Sequence, residues 1–138
     1  MKTKHYLTAT DVDILVDAAL DYATAHNFNV SVAVVDDSAT LLMMKRMDGA
    51  SVLSTQICQE KAHSAAVSRR PTKASEDMIR DGKIGFLTIN AAKGMLEGGE
   101  PIVYQGQVVG AVGVSGVQSF QDAEIAQHAI QQFLEQQT

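Results

Sequence analysis

The sequence predicts an α+β fold in which helices flank an antiparallel sheet, and three observations lead there. Apolar residues recur at helical spacing near both ends, and β-branched runs come in pairs separated by short polar turns. A chain of 138 residues is also long enough to bury one core without disulfide or metal staples. Strands joined by short turns pair antiparallel, which argues against a doubly wound parallel sheet. The expected organisation is a single domain over residues 1–138, with no internal repeat, linker or low-complexity segment.

Thr8 and Thr10 are candidate N-caps for a first helix, with Asp11 and Asp13 favourable in its first turn. Val12, Leu15, Val16, Ala19, Leu20 and Ala23 then follow the helical period, and the helix should end near His26-Asn27. Two runs, Val30 to Val35 and Leu41 to Met47, flank the polar cluster Asp36-Asp37-Ser38 and read as a hairpin. A second helix is expected from about Ser51 to Val67. It stops at Arg69-Arg70-Pro71, because the residue before a proline is disfavoured in helical geometry.

Thr72 to Arg80 reads as a shorter third helix. Asp81 to Gly99 has several glycines and no sustained period, so it reads as loop, with one short strand expected around Gly94 to Leu96. Pro101 to Tyr104 and Gln107 to Ser115 flank Gln105-Gly106 as a second hairpin. Val108 to Val114 is apolar at nearly every position and should lie centrally with both faces covered. Gly110 and Gly113 would let a helix or a ligand approach its backbone. Ser119 followed by Asp122 reads as a capping box opening a last helix that carries Ala126, Ala129, Ile130 and Phe133.

Charge and cysteine content narrow the function classes. The net charge of −5 is scattered, with no basic stripe or interleaved aromatics, so nucleic acid is not an expected partner. Cys58 is the only cysteine, which leaves no intrachain disulfide or CxxC motif and suits a reducing compartment. No apolar run is long enough to span a bilayer, and no apolar segment follows the lysines at the start. A cytoplasmic protein without a membrane partner is the expectation.

Lys61 is the sharpest local signal. At about 100° per residue, Leu53, Ile57, Cys58, Ala62 and Ala65 sweep out one arc of the second helix, and Lys61 falls inside it. A lysine in an apolar arc must be paired, neutralised or led to water. Either its stem snorkels to the surface or it forms a structural ion pair with Asp36 or Asp48; the functional alternative is an anion anchor or a proton-transfer residue. Arg46 and Asp48, two apart near a strand end, form a surface ion pair or join Lys61 in a polar cluster at a pocket mouth. Gly98 and Gly99 either offer N–H groups to a ligand or make a turn of unusual φ. Ser115 is a further polar candidate, or a turn cap. His5, His26, His63 and His128 are not paired at ligand spacing, so no metal site is expected.

Three stretches carry a family resemblance: Val34-Val35-Asp36 leading to Lys45-Arg46-Met47-Asp48; Lys61-Ala62-His63-Ser64-Ala65; and Gly98-Gly99-Glu100-Pro101 before Val109 to Gly116, with Gln121-Asp122 just after. In this order and spacing they resemble the GlcG/HbpS-like family, whose domain also forms the C-terminal part of PduO-type cobalamin adenosyltransferases. The resemblance implies a profilin-like sandwich with a five-stranded antiparallel sheet flanked by helices, and assembly into dimers or larger rings. It implies haem binding in some members, and a pocket bordered by Gly98, Gly99 and Pro101. The chain departs from the family pattern at Asp37-Ser38-Ala39, where a glycine pair is usual, and at Glu100, where an acid opposes an anionic ligand.

The expected function is a small-ligand-binding homo-oligomer holding haem or another planar or anionic molecule. Lys61, Arg46, Asp48, Gly98, Gly99, Pro101 and Ser115 are its candidate ligand-binding residues. The alternatives are an enzyme acting on a small carboxylate or carbonyl compound, with Lys61 as acid, base or Schiff-base residue, and an accessory protein that docks on a metabolic enzyme.

Overall fold

A computed structural model describes residues 1–90 and 93–137. The elements run α1 (Ala9–Ala25), β1 (Ser31–Asp36), β2 (Leu41–Arg46), α2 (Val52–Ser68), α3 (Thr72–Arg80), a 3₁₀ turn (Ile84–Thr88), β3 (Gly99–Tyr104), β4 (Gln107–Ser115) and α4 (Ser119–Glu135). Thr8 starts α1 with a reciprocal cap, its hydroxyl accepting from the Asp11 N–H while the Asp11 carboxylate accepts from the Thr8 N–H. Ser51 caps α2 by accepting from the Ser54 N–H, and Arg69 closes that helix in the left-handed region at φ 59°. In the β1–β2 turn the Asp36 carboxylate accepts from the N–H groups of Ser38 and Thr40, and Ala39 takes the left-handed position at φ 65°.

The sheet is antiparallel, in the order β2-β1-β4-β3, and side-chain alternation divides it between two layers. Val32, Val34, Val112 and Val114 face α1 and α4, while Ala33, Val35 and Ala111 face α2. The β4 strand is central and covered on both sides, as its near-continuous apolar run requires.

The sheet corrects the expected count: among the described residues it has four strands, not five. Gly94 to Leu96 forms no strand. The backbone of this segment and its two neighbours bonds to helix side chains instead of a ladder: Ser64 donates to the Lys93 carbonyl, Thr72 to the Leu96 carbonyl, and the Glu97 N–H donates to Glu76. Gly94, at φ 69°, lies so close to α2 that a Cβ would strike Glu60 and the Lys61 N.

The expected arc of α2 is also redrawn. Its buried residues are Ser54, Cys58, Lys61, Ala62, Ser64, Ala65 and Ala66, whereas Leu53 is 60% exposed. Small residues win because this helix rests almost on the backbone of the sheet. Gly99 and Gly113 are directly opposite each other on β3 and β4. A Cβ on Gly113 would meet the Cys58 carbonyl and the Ala62 N, and one on Gly99 would meet the Lys61 carbonyl. Gly113→Ala is therefore expected to destabilise the protein by about 2–3 kcal/mol in urea unfolding, the upper part of the overpacking range. Gly85→Ala, where no atom lies within 4 Å of the added methyl, should stay within about 0.5 kcal/mol of the native protein.

Candidate functional site

Lys61 comes from the middle of α2, and its stem runs past the end of β4 into the protein. Its ammonium donates to the Val114 carbonyl at 2.9 Å and to Asp122 Oδ2 at 3.0 Å. Both side chains of the pair are 3% exposed. The other oxygen of Asp122 accepts from the Val117 N–H at 3.2 Å, so one carboxylate holds both the lysine and the turn before α4. Burial raises the Asp122 carboxyl above its ordinary pKa, against the lowering pull of the Lys61 ammonium and the Val117 N–H. The partner is thus neither Asp36, occupied with its own turn, nor Asp48.

Asp122 consequently does not cap α4. The cap position belongs to Gln118, whose N–H donates to Gln121 Oε1 at 3.2 Å, displacing the expected Ser119–Asp122 box by one residue.

Gly98 and Gly99 are buried beside this pair. A Cβ on Gly98, whose φ is 131°, would lie 2.7 Å from Lys61 Nζ. The Gly98 carbonyl accepts from the Val114 N–H, and the Gly99 N–H donates to Thr72 Oγ1 at 2.9 Å. Thr72, fully buried at the start of α3, thereby ties β3 to the Leu96 carbonyl as well. Ser115 lies opposite Ser31, and Ser31 lies opposite Arg46, so these residues form one row across the sheet. From that row the Ser31 hydroxyl is hydrogen-bonded to the Ser54 hydroxyl of α2 at 2.8 Å.

Arg46 Nε and Nη2 both donate to the Ala50 carbonyl, at 3.0 and 2.8 Å, and close the turn that contains Asp48. Asp48 itself is exposed. The structure thus brings Lys61, Gly98 and Gly99 together, puts Arg46 and Ser115 on one row, and leaves Asp48 apart.

Two grooves flank this core. The larger, about 620 Å³, lies between α2, α3 and residues 87–90 and 93–96, within the range of about 300–1,000 Å³ typical of small-molecule sites. Ile79, Leu87, Ile89, Met95 and Leu96 give it apolar walls, and Arg80 and Lys93 supply cations. Glu76 lines it while accepting from Arg80 and the Glu97 N–H. A smaller cavity, lined by Gln59 and His63, shares Glu60, Asn90 and Lys93 with it.

The second groove, about 460 Å³, lies between β3 and α4, where Glu100 and Pro101 face Gln127, Ile130 and Leu134. Gln127 Nε2 donates to Glu100 Oε1 at 3.1 Å. Burial raises the Glu100 carboxyl, the Gln127 hydrogen bond lowers it, and the Glu97 charge raises it further.

Comparison with known proteins then sets this geometry among relatives. The family described as "Haem degrading protein HbpS-like" matches residues 7–131. Escherichia coli K12 "Protein GlcG" is 43% identical over 115 residues, covering 83% of this chain and 85% of the relative. The chain belongs to the HbpS-like family. The crystal structure of Klebsiella pneumoniae protein ORFY matches at a TM-score of 0.90 and 32% identity, covering 96% of this chain and 94% of the other. A PduOC–haem complex matches at a TM-score of 0.84 and 26% identity, covering 93% and 95%.

In this HbpS-like chain the sequence left Thr72, Asp122 and the walls of the larger groove unassigned as site residues. Thr72 follows a proline and reads as an ordinary helix start, and Asp122 reads as an ordinary capping acid. No periodicity marks the 87–96 segment.

The buried pair yields a direct test. Removing one member of such a pair costs about 3–5 kcal/mol, because the other charge stays buried without compensation. Lys61→Met should show a loss of that order in chemical unfolding. The double variant Lys61→Met/Asp122→Asn, which keeps an acceptor for the Val117 N–H, should recover at least half of it.

Glu100 yields a pH test. A carboxyl raised on folding binds its proton more tightly in the native state, so its stabilising contribution is full below the ordinary value of 4.5 and is lost as pH rises through the folded value. Glu100→Gln should match the native protein in stability near pH 4 and exceed it at pH 7. Equal melting curves at both pH values would contradict the assignment.

Proposed function

We propose that this chain is a small-ligand-binding protein that holds haem, or a related planar molecule with anionic groups, in the groove between α2, α3 and residues 87–90 and 93–96. The observation that carries the reading is that groove's combination of apolar walls with Arg80 and Lys93. Its support from relatives is the family's description and the haem bound in the PduOC complex.

The lining fits such a group. Ile79, Leu87 and Leu96 would cover the macrocycle, and Lys93, together with Arg80 exchanging its exposed pairs with Glu76 and Asp77, would meet its carboxylates across a lining that also holds Glu60 and Glu76. Met95 is the soft donor among the described lining residues, of a type that ligates haem iron. Bound haem supplies redox and oxygen chemistry, and the protein's contribution here is to orient the group and exclude water from one face. Lys61 and the Gly98-Gly99 segment act on this site as its support, since Thr72 ties α3 to β3 and the buried pair ties α2 to β4 and α4. A role for Lys61 as acid, base or Schiff-base residue has less support, because its ammonium is occupied by Val114 and Asp122.

We further propose a single-domain, cytoplasmic homo-oligomer. Exposed Leu41 and Leu42 on the edge strand and exposed Val52 and Leu53 at the start of α2 favour assembly. Among the described residues no helix is long and apolar enough to cross a membrane.

Haem titrated into purified protein should give a saturable shift of its near-ultraviolet band. Leu87→Glu, at a position 69% exposed and therefore safe for folding, should weaken binding at least tenfold by placing an acid in the apolar wall. His63→Ala should stay within about threefold of the native affinity, since His63 opens on the smaller cavity. Native affinity in the Leu87 variant would remove haem from this groove. Light scattering on the same preparations should give more than the monomer mass at micromolar concentration, and a monomer would exclude assembly.

A further inference from the structure

We propose that the groove between β3 and the second half of α4 is a separate binding site for a small organic amine in its protonated form, with Glu100 as the counter-ion of its ammonium group.

Among the described residues, Glu100 is an acid buried without a countercharge. Glu100 is 8% exposed, yet among the described residues no lysine or arginine pairs with it. Among the described residues its one hydrogen-bond partner is the neutral amide of Gln127, on a single oxygen. Asp122, similarly buried, has Lys61 at 3.0 Å. A carboxylate removed from water without a cation is expensive, and the Glu97 charge that acts on Glu100 has the wrong sign to help.

The rest of the groove is consistent with a cation as the missing partner. Its lining contains no lysine or arginine. Glu135 stands at its far end, where the last turn of α4 carries no basic residue and the negative end of the helix dipole adds to the same field. Between the two acids lie Pro101, Ile130 and Leu134, an apolar surface suited to a hydrocarbon stem, with Gln131 at the rim. A volume of about 460 Å³ accommodates a small ring or short chain beside the charged group. An anion would meet repulsion from both ends. A neutral molecule would gain only the apolar contact, leaving Glu100 without its charge partner.

The site shares no lining residue with the larger groove, so the two readings stand or fall separately. The full chain would be titrated with 2-phenylethylammonium at pH 7.5, followed by calorimetry and by the side-chain amide resonances of Gln127. Saturable binding that perturbs these resonances is expected. The neutral isostere 2-phenylethanol should bind at least tenfold more weakly, and 3-phenylpropanoate should not bind. Binding should weaken as pH falls and Glu100 takes up its proton. Glu100→Gln keeps an acceptor for Gln127 and should reduce amine affinity at least tenfold while leaving haem affinity unchanged. Equal binding of the alcohol, undiminished amine binding by the Glu100 variant, or no saturable response in the native protein would each overturn the proposal. So would a Gln127 signal that changed with protein concentration and not with the amine, since that would assign the groove to a second copy of the chain.

Discussion

The closeness of α2 to the β3–β4 pair is the constraint on which the other features depend. Gly99 and Gly113 leave two adjacent gaps on the sheet, and Cys58, Ala62 and Ala65 present a helix face small enough to enter them. With the helix at this distance, Lys61 can reach past the end of β4 to Asp122 on the layer beyond. The ion pair therefore joins the α2 layer to the α1–α4 layer at a point where neither core cluster does so by itself. Gly98, at φ 131°, makes room for the ammonium that spans them.

Buried charge is handled in two different ways within a short stretch of structure. Asp122 has an ammonium and a backbone N–H, and its geometry is that of a fastening between elements. Glu100, a residue beyond the glycine pair, has only the amide of Gln127. Burial raises both carboxyls, but only one of them has a cation opposing the rise. The difference follows from position: Glu100 lies on an edge strand beside an open groove, whereas Asp122 is enclosed. An enclosed acid must find its countercharge in the chain, while one bordering a groove can take it from outside.

Much of the fold was legible because local chemistry and tertiary demand agree. Thr8 and Asp11, Ser51, and the Asp36 turn each satisfy backbone groups with their own neighbours, so their boundaries are readable without any partner. Disagreement begins where a distant element decides. The apolar arc drawn through Leu53 failed because glycines on β3 and β4 select the small residues of α2 for burial, and no property of α2 alone reports those glycines. The partner of Lys61 lies 61 residues away and carries the disguise of a capping acid. The stretch from Lys93 to Glu97 takes hydrogen bonds from Ser64, Thr72 and Glu76, which no β-propensity scale registers.

The same division explains why the resemblance reports the fold better than the ligand. Lys61 and Ala62, Gly98 and Gly99, Gly113 and Asp122 all belong to stretches that carry the likeness, and all meet at the junction of α2, β3, β4 and α4. Their requirements are steric and electrostatic, and substituting any one of them disturbs the others. The walls of the larger groove have no such interdependence. Ile79, Leu87, Ile89 and Met95 come from α3 and the segment after it, outside the familiar stretches, and Leu87 and Ile89 are exposed. Residues of this kind can change without loss of the junction, so one scaffold can carry different ligand surfaces. Assigning the ligand of this chain therefore depends on the chemistry of Met95, Arg80 and Lys93 in one groove and of Glu100 in the other, more than on the motif through which its family is recognised.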